Sequence, residues 1–356
     1  LNAILWVAKA EVPKDGVASA PTWRFVSIPN FTGADLAYPQ PGWEETLDYV
    51  LKAIKAENPE FVLVPGDLVA GGWPDKAAIE KQAAAQYAAW MKRMAEHGLP
   101  FYAGVGDHEI GGSPWSGDKA ALVPLFKRQF QRYLNMPRNG PLRLKGTAYS
   151  FVHENALFVA LDVFERGSGA QAGIVPQVTG EQLQWLGQTL ADNPGVEHVV
   201  AMGHTPILGV AAAGSSGALT LAGGRESPVW QAFKKRAADL YLCGETQAVA
   251  CTQADGILQV AHGGLWNGPD GRAAVSYLVA TVYPGRIDLE LRQIAIVKEG
   301  GPPAQAGESG PSEKIRIADN IEQQGFTTVG TAVLYRDQTG WVLSNATGVL
   351  AKATLP

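Results

Sequence analysis

Gly104-Val105-Gly106-Asp107-His108-Glu109-Ile110 sets an acid, an imidazole and a second acid in a row. The run before it, Leu99-Pro100-Phe101-Tyr102-Ala103, is apolar and reads as a buried strand, and Gly111-Gly112 after it is a turn signal. A strand thus delivers three groups able to bind a metal or carry a proton to a loop, and in α/β sheets ligands gather beyond the carboxyl ends of strands. Taken alone the triplet reads equally well as a solvated polar turn, so the flanking sequence decides.

Upstream, Phe61-Val62-Leu63-Val64 is a continuous apolar run, as a central parallel strand requires, and it ends in Pro65-Gly66-Asp67. Residues 77–97 form an Ala-rich helix carrying Tyr87, Trp90 and Met94, with Gly98 as its C-terminal cap. Arg24 to Ile28 is a short strand that runs into the polar loop Pro29-Asn30-Phe31-Thr32-Gly33-Ala34-Asp35. Glu44 to Lys55 is an amphipathic helix with Leu47, Val50, Leu51 and Ile54 on one face. This alternation of strand and helix predicts a parallel sheet with right-handed crossovers.

Downstream come a helix over 118–134, strands at 148–153 and 156–162, and a helix starting at Glu181. A strand at 199–202 ends in Gly203-His204-Thr205-Pro206. A Gly/Ala/Ser loop over 208–224 lacks any period and reads as mobile or as shaping a pocket. A helix over 227–238 leads to a strand at 239–243 and then Gly244-Glu245-Thr246-Gln247. Close-spaced strands near 249–253, 256–261, 275–283 and 286–295 read as antiparallel.

With 46% hydrophobic residues, the 356-residue chain can bury a sizeable core. The net charge of −5 gives no electrostatic case for nucleic acid, and no apolar run is long enough to span a bilayer. Cys243 and Cys251 form neither a disulfide framework nor a zinc cluster; they read as buried thiols that pair only if their strands are neighbours. The start at Leu1 and the Trp-rich, charge-poor composition suit an exported, secreted or periplasmic protein, with cytoplasmic residence the alternative. Asn30-Phe31-Thr32 and Asn345-Ala346-Thr347 match the short glycosylation pattern.

At the strand ends, five loops carry polar side chains in a fixed order: Asn30, Asp67, Asp107-His108-Glu109, His204, and Glu245 with Gln247. That order resembles the calcineurin-like metallophosphoesterases, whose motifs run Asp-x-His, Gly-Asp, Gly-Asn-His-Glu/Asp, His and Gly-His-x-His. The resemblance covers roughly residues 22–295, and Gln182-Leu183-Gln184-Trp185-Leu186 looks like a helix start common in the family. It implies an α/β fold, a two-sheet α/β/β/α sandwich. The expected organisation is an N-terminal extension over 1–21, a metallophosphoesterase-like catalytic domain over 22–297, a Gly/Pro/Ser-rich linker over 298–313 and a small C-terminal β appendage over 314–356, docked on the main domain.

The departures from the family pattern are grouped. One of its two metal seats maps onto Asn30, Thr32, Asp67 and Gln247, where three of the four positions are weakened. The other maps onto Asp67, Asp107, His204 and Glu245, all competent ligands. The resemblance therefore implies one well-bound divalent ion (Mn, Fe, Mg or Zn, with Ca possible), since carboxylate-rich sites suit the harder ions. A second ion is weak or absent, with Asn30 and Gln247 offering only neutral oxygens. Three carboxylates around one divalent ion leave about −1, which disfavours a highly charged phosphate.

His108 corresponds to the family's general acid, and Glu109 is expected to orient His108 or its loop rather than bind metal. Asp35 is a possible substitute ligand, although a turn role suits it better. His262 and Trp115 are candidate substrate contacts, with Trp73 and Trp266 as further members of an aromatic rim or as packing. Asp162 reads as structural, and His97, His153 and His198 as surface residues. The implied activity is hydrolysis of a small-molecule phosphoester, with a diester favoured. The alternatives are a catalytically weak or inactive metal- and ligand-binding relative, or different single-metal Fe or Mn chemistry on the same fold.

Overall fold

The structure, a computed structural model, describes residues 22–31, 43–115, 117–167, 173–209, 219–246, 249–264, 273–299, 314–317, 325–337, 340–344, 346–348 and 350. Thr32, Asp35, Gln247 and Trp266 therefore lie outside the described residues, as do most of the N-terminal extension and the 300–313 part of the linker.

β2 (Phe61–Val64) is buried at every position, as its unbroken apolar run demands. It lies parallel to β1 (Trp23–Ser27) on one side and to β3 (Phe101–Ala103) on the other. The connections are α1 (Trp43–Ala56), which buries Leu47, Val50, Leu51 and Ile54, and α2 (Lys76–Glu96). Asp75 caps α2 by accepting the Ala78 amide at 2.8 Å. Gly98, just past its end, takes φ +58°, the left-handed turn expected of it.

The 3-10 turn His108–Ile110 and α3 (Asp118–Tyr133) lead into the second sheet. There β4 (Tyr149–His153) pairs antiparallel with β5 (Ala156–Ala160), and β5, β8 (His198–Met202) and β9 (Leu240–Cys243) run parallel. A small hairpin of β6 (Phe164–Arg166) and β7 (Ile174–Pro176) precedes α4 (Gly180–Asp192), and α5 (Pro228–Arg236) precedes β9. β10 (Ala250–Ala254) and β11 (Ile257–Ala261) form an antiparallel hairpin that joins this sheet with β11 parallel to β9. β11 thereby separates Cys243 on β9 from Cys251 on β10, and both are free, buried thiols.

The next hairpin goes elsewhere. β12 (Ala273–Tyr283) and β13 (Arg286–Glu299) enter the first sheet, β12 pairing antiparallel with β1. β14 (Lys314–Ile317), β15 (Thr327–Asp337) and β16 (Gly340–Ser344) continue that sheet outward, so the C-terminal strands extend it by main-chain pairing. The close-spaced strands do pair antiparallel within each hairpin, but the two hairpins divide between two sheets. Close spacing in sequence predicts a hairpin, but which sheet edge receives it is set by distant partners.

The two sheets are held together by aromatic side chains. Phe61 meets Phe158 at 5.1 Å and Phe151 at 5.4 Å, and Tyr102 stacks on Phe151 at 3.7 Å between ring centroids. This mixed α/β architecture of two main sheets with helices brings the carboxyl ends of β1, β2, β3, β8 and β9 to one edge.

His198 is a correction to the sequence reading. It is fully buried, with Nδ1 3.0 Å from Asp239 Oδ1 and Nε2 2.8 Å from the Tyr283 carbonyl. Both ring nitrogens face acceptors, so the ring ties β8 and β9 in one sheet to β12 in the other as a buried cation. Its partners lie 41 and 85 residues away, which is why no local pattern exposed them. His97 pairs with Asp48 at 3.0 Å, and His153 packs its ring edge on Trp23 and Phe61. Neither is a free surface group.

Candidate metal centre

The loop after β2 turns sharply at Gly66 (φ +90°) and Asp67 (φ +63°). Asn30 (φ +61°) and Glu245 (φ +59°) do the same after β1 and β9. Asn and Asp tolerate the left-handed region, whereas Glu there is uncommon, and such backbone strain collects at functional sites.

The turns after β2 and β9, together with the loop after β3 that carries Asp107, aim three carboxylates at one nitrogen. His204 Nε2 stands 3.3 Å from Asp67 Oδ2, 3.3 Å from Asp107 Oδ1 and 3.5 Å from Glu245 Oε2. On the other side of the ring, Nδ1 lies 2.8 Å from the Pro65 carbonyl and must donate to it. In the neutral ring, Nε2 is then a lone pair, and it is buried without a hydrogen-bond partner. A bare lone pair among three carboxylates is unfavourable unless a cation lies between them. Donors about 2.1 Å from a shared ion stand about 3.0 Å apart in an octahedral shell and about 3.4 Å apart in a tetrahedral one. The three nitrogen–oxygen spacings are of that size, the ligand atoms of Asp107, His204 and Glu245 all lie within 4.8 Å of one another, and Asp67 faces the same nitrogen, so these four residues are candidates to hold a divalent cation.

The field of the cluster shows in its titration. Burial alone would push the His204 imidazole down, but the negative charge of Asp67, with Asp107 and Glu245 close by, raises its pKa well above the ordinary value. Burial raises Asp67, which the Asp107 charge reinforces. For Asp107 the reverse wins: burial pushes it up, but His204 and His108 hold it well below the usual carboxylate range.

Close packing explains the glycines beside the ligands. A Cβ on Gly66 would lie 2.6 Å from His204 Nδ1, and one on Gly106 would collide with Asp67 Oδ1 and stand 2.8 Å from Glu109 Oε2. Each of Asp67, Asp107, His204 and Glu245 is preceded in sequence by a glycine. That regularity is visible in the sequence itself, as a Gly before each ligand at a strand end.

Glu109 sits at the hub of the ligand loops. It is fully buried and accepts amide hydrogens from Asp67 (2.7 Å), Leu68 (2.7 Å), Val69 (3.2 Å) and Gly106 (2.7 Å). Burial and the Asp67 charge push its carboxyl up to about 7, yet every partner it has is a donor, so the geometry favours the carboxylate. It binds the loop after β2 to the loop after β3, and is placed to orient rather than to ligate.

His108 is only partly buried. Its Nδ1 donates to the Ala70 carbonyl at 2.8 Å, and its amide donates to Asp67 Oδ1 at 3.2 Å. One of its ring nitrogens lies within 4.8 Å of carboxylate oxygens of Asp67 and Asp107. Burial acts to lower its pKa, but Asp67 and Asp107 override this and raise it.

Asn30 is fully buried: its Nδ2 donates to the His262 carbonyl at 3.4 Å and its Oδ1 has no partner. A Cβ on Gly244 would lie 2.8 Å from that oxygen and 3.1 Å from His204 Cε1, which places Asn30 beside the cluster. An enclosed amide cannot carry a glycan, so the Asn30 pattern match is not a modification site. His262, expected near substrate, is fully enclosed behind Asn30 with Nε2 3.0 Å from Ser27 Oγ. Burial drives its pKa down to about 3, so it is a neutral ring of the interior. Trp115 donates to the Ile110 carbonyl at 3.0 Å and packs 5.4 Å from Phe164, whose ring is 6.2 Å from His204. Trp73 belongs to the core, stacked on Phe126. Asp162 is a buried carboxylate paired with Lys127 at 2.7 Å.

A sequence model described as calcineurin-like phosphoesterase matches residues 34–247. The chain belongs to that family. No curated protein matches the sequence. Among solved structures, this phosphoesterase is similar to PhoD, with TM-score 0.59 and 14% identity over 95% of this chain and 74% of that one. It is also similar to a dimetal phosphatase from Danio rerio, with TM-score 0.50 and 16% identity over 77% of this chain and 98% of that one. At those identities the likeness is one of fold. Family membership makes the protein a metal-dependent hydrolase of phosphoesters in general terms.

Proposed function

We propose that this protein hydrolyses a small-molecule phosphoester, a diester in preference to a monoester, on a single well-held divalent ion. The observation that carries this reading is the His204 lone pair facing Asp67, Asp107 and Glu245, with the partly exposed His108 on the adjoining loop. The chemistry such an ion supplies when bound is charge neutralisation at phosphorus and activation of water.

The chain's own residues supply the rest. Asp67, Asp107, His204 and Glu245 hold the ion, and Glu109 fixes the two loops that present the first two. His108 is the general acid: the bond from Nδ1 to Ala70 orients the ring and leaves Nε2 to hand a proton to the departing alkoxide oxygen. Asn30 offers a neutral oxygen where the family pattern has a carboxylate, so a second ion is weakly held. The resulting excess of negative charge favours a monoanionic diester over a dianionic monoester.

The test is turnover of bis(4-nitrophenyl) phosphate and 4-nitrophenyl phosphate by protein titrated with Mn²⁺, alongside elemental analysis of bound metal. Diester turnover saturating near one ion per chain supports the reading. One tightly held ion with no turnover of either ester would leave a metal- and ligand-binding relative in its place, the reading that Asn30 favours.

A further inference from the structure

Lys119 is absent from every motif considered above, yet it stands over the metal-centre loop. It lies in the first turn of α3, and its Cε is 3.3 Å from where a Cβ on Gly111 would be. Gly111 and Gly112 form the turn that closes the His108 loop: the Gly111 amide donates to the His108 carbonyl at 3.1 Å and the Gly112 amide to the Asp107 carbonyl at 2.7 Å. The next amide, Ser113, donates to Asp107 Oδ2 at 3.2 Å. The lysine stem therefore crosses the turn that holds Asp107, and a side chain on Gly111 would obstruct it. Lys119 is partly buried, lies within the field of Asp107, and makes no ion pair or hydrogen bond among the described residues. A lysine that gives up part of its hydration without gaining a partner is in want of an anion.

Charge counting says which anion. Asp67, Asp107 and Glu245 with one divalent ion total about −1, a poor receptor for a phosphate ester. Lys119 brings that to about zero. We propose that Lys119 is a substrate-binding residue whose ammonium takes a non-bridging phosphoryl oxygen of the bound ester. It replaces with a fixed side-chain charge the positive charge that a weakened second metal seat lacks. The inference rests on the phosphoester reading above. It adds that the substrate is recognised by its anionic phosphoryl group on the α3 side of the centre.

The test is binding of inorganic phosphate to Mn²⁺-loaded wild type, Lys119→Gln and Lys119→Arg by calorimetry, with metal content measured on each. The expected result is unchanged metal content, phosphate affinity weaker by about tenfold or more in Lys119→Gln, and most of that affinity restored in Lys119→Arg, as loss and return of one charge-assisted bond require. Phosphate affinity in Lys119→Gln within twofold of wild type, at equal metal content, overturns the proposal. So does a loss that Lys119→Arg does not restore. Because the readout is binding, a wild-type protein that binds phosphate through Lys119 but turns over no ester sinks the hydrolytic reading alone. A protein that hydrolyses esters with phosphate affinity indifferent to Lys119 sinks this inference alone.

Discussion

His204 Nδ1 donates to the carbonyl of Pro65 at 2.8 Å, across 139 residues of chain and from one sheet to the other. That bond fixes the ring's tautomer, and with it the identity of Nε2 as a ligand atom. It also sets how close the second sheet brings its imidazole to the two carboxylates presented by the first.

Replacing His204 by Gln removes the nitrogen donor and leaves three carboxylates facing one another. Metal affinity is expected to fall by more than the roughly 10- to 100-fold that loss of an outer hydrogen-bond partner costs. Competition with a fluorescent chelator for Mn²⁺ measures it. Retention of wild-type affinity would remove His204 from the ligand set.

Glu109→Gln tests the hub. An amide nitrogen in place of either carboxylate oxygen points N–H at N–H, because all four partners are donors. The expected loss of stability is about 1–3 kcal/mol in urea denaturation, the cost of leaving buried donors unpaired. Metal affinity should drop with it, because Asp67 and Asp107 are no longer held at a fixed distance.

His108→Ala should leave metal content unchanged and lower kcat on esters of poor leaving groups by about 10²- to 10⁴-fold. With a 4-nitrophenyl ester, whose leaving group needs little protonation, the loss should be much smaller. Equal losses on the two ester classes would argue that His108 binds rather than protonates.

The His198–Asp239 pair makes a prediction about pH and stability. Burial opposes the charge on His198, but its bond to Asp239 prevails and its pKa is raised; burial pushes Asp239 up to about 6. Both groups hold protons more tightly folded than unfolded, so each contribution is lost as pH rises. For Asp239 the loss falls between about 4 and about 6, and for His198 from about 6.5 up through its raised value. Melting temperature should therefore fall as pH increases across that range, and the double variant His198→Gln/Asp239→Asn should flatten the slope. An unchanged slope in the variant would place the pH dependence elsewhere.

What was legible in the sequence is what local chemistry writes there. The apolar run of β2, the periodic face of α1 and the Gly98 cap that closes α2 depend on neighbours a few residues away, so the order of strands, helices and ligand loops could be read directly. The motifs at Asp67, Asp107-His108-Glu109, His204 and Glu245 were visible for the same reason, each being a strand end followed by a polar turn. Even the glycine before each ligand was there to be noticed. Only the tertiary structure decided which nitrogen of His204 faces the carboxylates, that Glu109 joins two loops, that His198 is an interior cation and His262 an enclosed neutral ring, and that the Lys119 stem lies against Gly111 in the turn closing the His108 loop. Each of these depends on contacts between residues far apart in the chain, brought together when the carboxyl ends of two sheets meet at one edge. Side-chain alternation and turn residues carry no record of that meeting, because it is set by how the sheets pack and not by any one segment.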